Sequence, residues 1–152
     1  MTFAPAAAPA KTGQPLPARD MTADLTTFFD VSLDLLVIRD LDGSIVRVSA
    51  SWAATLGYDP DDLVGLAILS LVHPDDLPDT LDSVVEVETR RPDAPVKGHI
   101  NRYRHRDGHY VTLEWRAQRF GERIYAVARD VTAKIAAEQA LVEAKAAAEA
   151  AN

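Results

Sequence analysis

Residues 109–132, HYVTLEWRAQRFGERIYAVARDVT, decide the fold. Val111, Leu113 and Trp115 alternate with Thr112, Glu114 and Arg116, the period-two pattern of a strand that buries one face. Gly121-Glu122 makes a turn, and residues 123–130, RIYAVARD, form a second run rich in β-branched and aromatic side chains. After Asp130-Val131-Thr132 the character changes: alanine, glutamate and lysine carry a helical pattern to Asn152 without a stop signal. A helix of about 22 residues extends roughly 33 Å, longer than a small domain needs to cover its own core.

Working outward, Asp107-Gly108 joins the 109–120 strand to an earlier one within VKGHINRYRHR, residues 96–106. Asp42-Gly43 does the same between LLVIRD, 35–40, and SIVRVS, 44–49. Between the two groups lie a short helix ended by Gly57, a one-turn helix from Pro60 to Gly65, and a short apolar turn. A break at His73-Pro74 follows, and then a helix with Leu77, Leu81, Val84 and Val85 at helical spacing. Ahead of the first strand, Thr22 is placed to cap a lead-in helix that carries Leu25, Phe28 and Phe29 and ends near Asp30. The order predicts an α+β domain, a five-stranded antiparallel sheet with short helices on one face.

The chain has 152 residues, a formal net charge of −7, 47% hydrophobic content and no cysteine. Excess negative charge repels nucleic acid and anionic membrane surfaces, so neither is an expected partner. Without cysteine, disulfides, thiolate metal sites and cysteine nucleophiles are excluded. Residues 1–20, broken by Pro5, Pro9, Pro15 and Pro17, are expected to be a disordered leader. No run approaches the roughly 20 apolar residues of a membrane helix, and a cytoplasmic location is expected. The expected division is leader 1–20, domain with lead-in helix 21–130, and coiled-coil helix 131–152.

DLLVIRDLDGSIVRVSASWAATLGYDPDDLVG (34–65), HPDD (73–76), RYRHRDGHYVTLEWRA (102–117) and ARDVT (128–132) occur in this order over Thr22 to Thr132, and together they resemble a PAS sensor domain. The resemblance implies the PAS fold and a sensory or dimerising role. It also implies signal coupling at Asp130 and Thr132, where family members pass from sensor to output. The alanine-rich tail looks like the linker before the phosphoacceptor helices of a bacterial hybrid histidine kinase. The implied context is a two-component phosphorelay whose kinase domain lies outside this chain, which itself carries no catalytic residues. At the end of the second strand many PAS domains have an Asn that helps bind a ligand or close the pocket; this chain has Ser49.

Asp130 and Thr132 can each offer an oxygen to orphan amides of the first helical turn. Ala137, Leu141, Ala144 and Ala148 step by four and three residues, the seam of a parallel homodimer in which Leu25, Phe28 and Phe29 assist. Ser49, Trp52, Leu56, Leu81, Val85, Leu113 and Trp115 are the candidate lining of a ligand pocket. No haem is expected, because residues 77–90 contain no histidine, and no flavin adduct, because there is no cysteine. No cofactor is therefore expected, which leaves a noncovalent small ligand of unknown identity. No metal is expected at His73, nor at His99, His105 and His109, which lie among Arg102, Arg104 and Arg106. A ligand-free dimerisation or docking domain is the alternative reading.

Overall fold

The computed structural model describes residue 4 and residues 18–94 and 98–151. Five strands, β1 (Leu35–Asp40), β2 (Ile45–Val48), β3 (His99–Arg104), β4 (Tyr110–Phe120) and β5 (Arg123–Asp130), form one antiparallel sheet in the order β2-β1-β5-β4-β3. The last strand is therefore central, hydrogen-bonded along both sides. Helices α1 (Ala18–Val31), α2 (Ser51–Leu56), α3 (Pro60–Leu63), α4 (Leu77–Thr89) and α5 (Thr132–Ala150) complete the fold, with two 3-10 turns at Ile68–Leu71 and Pro74–Asp76. The α+β architecture predicted from the strand pattern is the one observed. Most of the leader expected at 1–20 lies outside the described residues, and its end, from Ala18, is already helical. Thr22 thus sits inside α1 rather than at its cap.

Alternation sets which side chains go in. Leu35 and Val37 of β1, Leu113 and Trp115 of β4, and Ile124 and Ala128 of β5 share the inner face, where Trp52 and Leu56 of α2 and Leu63 of α3 close over them. Trp52 is completely buried and meets Tyr103 edge-on at 6.4 Å and Trp115 at 6.3 Å. A polar relay pins this layer to the sheet. The Leu36 amide donates to Ser49 Oγ (2.9 Å), and Ser49 and Ser51 share a hydroxyl bond (2.6 Å). Ser51 Oγ donates to the Asp34 carbonyl (2.8 Å), while Trp52 Nε1 donates to Leu36 O (2.9 Å).

The rotation of α4 differs from expectation. Hydrophobicity predicts that Leu81 and Val85 face inward, but they are 46% and 58% exposed, and Thr80, only 4% exposed, takes the inner line. Polar anchoring sets that rotation. Arg102 donates from its backbone N and Nε to Asp76 Oδ2 (2.8 and 2.9 Å) and from Nη2 to Oδ1 (2.7 Å), which holds the start of α4 against β3. Thr80 Oγ1 donates back to the Asp76 carbonyl at 2.7 Å. With these bonds in place the turn of the helix is fixed, and Leu81 and Val85 fall on its outer side.

The side-chain hydrogen bonds from Arg102, opposed by desolvation and helped by the Arg102 amide, hold the Asp76 carboxyl below the usual carboxylate range. A carboxylate with a depressed folded pKa stabilises the fold above its unfolded value, about 3.9, and that contribution disappears as pH falls through the folded value. Asp76→Asn should therefore be less stable than wild type at neutral pH, and the two should converge below about pH 4. Urea titrations at several pH values check this, and parallel acid limbs would contradict it. A second test concerns Gly57, the cap of α2, at φ 79°. A Cβ there would lie 2.7 Å from His105 Cε1 and 3.2 Å from Arg106 Cβ, whereas Gly65, at φ 87°, has no such neighbour within 4 Å. Gly57→Ala should cost about 1 kcal/mol more than Gly65→Ala, itself about 1 kcal/mol, in equilibrium denaturation.

Candidate functional site

A cavity of about 70 Å³ lies between α4 and the inner face of the sheet. One side is a continuous chain of polar bonds. Trp115 Nε1 donates to Asn101 Oδ1 (2.9 Å), Asn101 Nδ2 donates to Thr80 Oγ1 (3.2 Å), and His99 Nε2 lies 3.2 Å from the same oxygen. Because the Thr80 hydroxyl proton goes to Asp76 O, that oxygen accepts from both neighbours, so His99 carries its proton on Nε2. The opposite side holds Arg39, an inward residue of β1, whose Nη1 reaches the Asp40 carbonyl (3.1 Å) and Glu88 Oε1 of α4 (3.4 Å). Tyr103, 3% exposed, lines the same space.

Of the expected pocket residues, only Trp115 lines this cavity. Ser49, Trp52, Leu56 and Leu113 are packed into the core beside it, and Ser49 serves the relay that joins β1 to α2. Leu81 and Val85 point away, as the rotation of α4 requires. The rest of the lining lies outside that expectation: the polar Arg39, Thr80, Ser83, His99 and Asn101, with Tyr103, and apolar residues such as Val37, Ile68 and Ile124. The signal was present in the alternation, since Leu35 and Val37 put Arg39 on the buried side, and Tyr103 puts Asn101 there.

On the β3–β4 hairpin, His105, Asp107 and His109 bring three ligand atoms within 4.8 Å. Asp107 Oδ1 pairs with His109 Nδ1 and lies 3.2 Å from His105 Nδ1, and the two rings stack at 4.4 Å. The backbone N–H of His109 is the main cause that lowers the Asp107 carboxyl. Three such groups could hold a divalent cation. Of the arginines expected to repel one, Arg102 is paired with Asp76.

At the other end of β5, the chain enters α5 through a clamp. Val131 N donates to the Thr112 carbonyl (2.9 Å), and Thr112 N donates to Thr132 Oγ1 (3.0 Å), so both backbone groups of one β4 residue hold the exit. Asp130 Oδ1 accepts from Thr132 N at 2.9 Å. Asp130 thus caps the first turn as expected, but the Thr132 oxygen does not: it turns to the sheet. Thr132 is the first helical residue, and the preceding cap position is Val131, which has no polar side chain. Val131 is buried and Ile135 half-buried; from there onward Ala137, Leu141, Ala144 and Ala148 are exposed, Leu141 at 69%. Leu25 and Phe28 of α1 are exposed as well, and Phe29 lies under the Arg47 guanidinium at 4.3 Å. No helix among the described residues is long and apolar enough to cross a membrane.

A family model described as the PAS fold matches residues 45–127. No curated protein matches the chain. Among solved structures, the chain is similar to the PAS domain of an HTR-like protein from Haloarcula marismortui, with 25% identity and a TM-score of 0.62 over 74% of this chain and 93% of that one. It is also similar to a domain of a sensory box sensor histidine kinase/response regulator from Geobacter sulfurreducens, with 19% identity and a TM-score of 0.63 over 77% and 100%. A PAS domain from Colwellia psychrerythraea gives 24% and 0.62 over 74% and 98%. The family match spans most of the sheet and every helix between its two halves, and the chain belongs to the PAS fold family.

Proposed function

We propose that this chain is the sensory and dimerising input module of a two-component histidine kinase. A ligand- or partner-induced change in the domain passes through Asp130-Val131-Thr132 into α5. That helix pairs in parallel with its copy in a second chain and continues into a cytoplasmic kinase domain that performs the phosphotransfer. The observation that carries this reading is the clamp at Thr112. Its strand also bears Leu113 in the core and Trp115 on the cavity wall, so a displacement of β4 changes the geometry of both bonds that hold the helix. The length of α5 and its exposed side chains support a partner outside the domain, because a helix of 19 residues with one half-buried apolar contact beyond its first residue gains little stability from its own chain.

The second reading, a docking or structural dimerisation module without a ligand, is favoured by one feature. The outer face of the sheet forms an apolar groove with α1, lined by Leu25, Phe29, Leu36, Ile38, Tyr125 and Val127. Both readings use α5 as the output.

Two variants test the proposal. Thr132→Val keeps the shape of the side chain and removes the acceptor of the Thr112 amide. A lost hydrogen bond costs about 1 kcal/mol against a domain stability of about 5–15 kcal/mol, so the fold should survive. A helix poised between two registers shifts its populations about tenfold for about 1.4 kcal/mol, so autophosphorylation of the parent kinase should change several-fold. A lower melting temperature with unchanged kinase output would reduce Thr132 to a structural bond. Leu141→Lys places a charge in the seam, and sedimentation equilibrium should show a weaker dimer with unchanged circular dichroism. Undiminished association would remove α5 from the interface.

A further inference from the structure

Arg39 is the least expected residue in the core. It is 7% exposed and lies on the inward line that begins with Leu35 and Val37. Arginine is seldom buried so deeply unless it is fully paired. Here both hydrogen bonds of the guanidinium come from Nη1, and the bond to Glu88, at 3.4 Å, is long for a charge-assisted contact. Among the described residues, Nε and Nη2 have no partner. Across the same cavity the Tyr103 hydroxyl also has none among the described residues, although the residue is 3% exposed. No polar side-chain atom that is sealed off lacks a partner among the described residues, so these free donors open onto space that a small molecule reaches. Burial pushes the Tyr103 hydroxyl well above its ordinary range, so at neutral pH it keeps its proton and donates.

Four other polar groups of the cavity, Trp115, Asn101, Thr80 and His99, bond to one another. The Arg39 guanidinium and the Tyr103 hydroxyl remain as donors, one of them cationic, Ser83 adds a hydroxyl, and the walls beside them, Val37, Ile68 and Ile124, are apolar. A partner for such a space brings two acceptor oxygens, a negative charge and a short apolar body. We propose that the cavity binds a small monocarboxylate, held in bidentate fashion by Arg39 and by a hydrogen bond from Tyr103. This rests on the reading of the chain as a sensory input and names the chemical class of what it senses. The ligand carboxylate binds the free Nε and Nη2, and its charge competes with that of Glu88 for the guanidinium, which weakens the Nη1 contact that ties the far end of α4 to β1. A volume of about 70 Å³ admits only a few heavy atoms, so formate, acetate and propionate are the fitting sizes.

The test is thermal melting and calorimetric titration of the whole chain with sodium formate, acetate, propionate and butyrate, at ionic strength held constant with sodium chloride. Saturable stabilisation by at least one carboxylate, absent with chloride alone, is expected. Arg39→Gln should abolish it, Tyr103→Phe should weaken binding roughly five- to tenfold, and Glu88→Gln should tighten it by removing the competing carboxylate. Glu88 is partly exposed, so that last variant remains informative if Arg39→Gln fails to fold. No saturable stabilisation of wild type or Glu88→Gln by any of the four, or equal stabilisation of a folded Arg39→Gln, would overturn the proposal. Failure of the sensory reading looks different: carboxylate binds with the expected variant pattern, while the output of the parent kinase does not respond to it.

Discussion

Thr112 offers both of its backbone groups to the chain that leaves the sheet, its carbonyl to Val131 and its amide to the Thr132 hydroxyl. That pair of bonds fixes where the last helix starts and in which direction it departs. A single bond would leave the helix free to pivot, whereas two bonds from one residue, joined by the buried side chain of Val131, make the first turn an extension of β4. The central position of β5 adds to this, because the strand that feeds the helix is held on both sides by ladders to β1 and β4.

The cavity is coupled to the same frame by a different kind of contact. Asp76, Thr80 and Arg102 set the rotation of α4 through charge-assisted and hydroxyl bonds rather than through apolar burial, and the Glu88–Arg39 contact holds its other end to β1. Bonds of this type are directional and break discretely, which suits an element with two positions better than a greasy contact that slides. The helix thereby joins β3 at one end and β1 at the other, with the cavity between them.

Much of the fold is legible in the sequence because turns and alternation are local. The strand pairs around Asp42-Gly43, Asp107-Gly108 and Gly121-Glu122 lie where the dipeptides and period-two runs put them. The lining of the site is less legible for two reasons. Leu81 and Val85 are the larger apolar residues of α4, and pattern reading sends them inward, but the helix is turned by a partner 26 residues away in sequence, Arg102, which no window on the helix contains. Arg39 carries a readable position and an unreadable role: alternation puts it inside, but only the placement of Glu88 and Tyr103 shows that its guanidinium is left half-paired. Thr132 is similar, since the motif marks the junction while the recipient of its hydroxyl oxygen, Thr112, comes from a strand 20 residues earlier.

Native-state hydrogen exchange, followed residue by residue by NMR, tests most directly whether β4 and the exit helix form one unit. The amides of Thr112, Val131 and Ile135 should open together, with one shared opening free energy and one shared dependence on denaturant, because all three donate into the same clamp or to the turn it holds. If the Thr112 amide exchanges freely while Val131 and Ile135 stay protected, the bond to Thr132 carries nothing between sheet and helix, and the coupling described above is wrong.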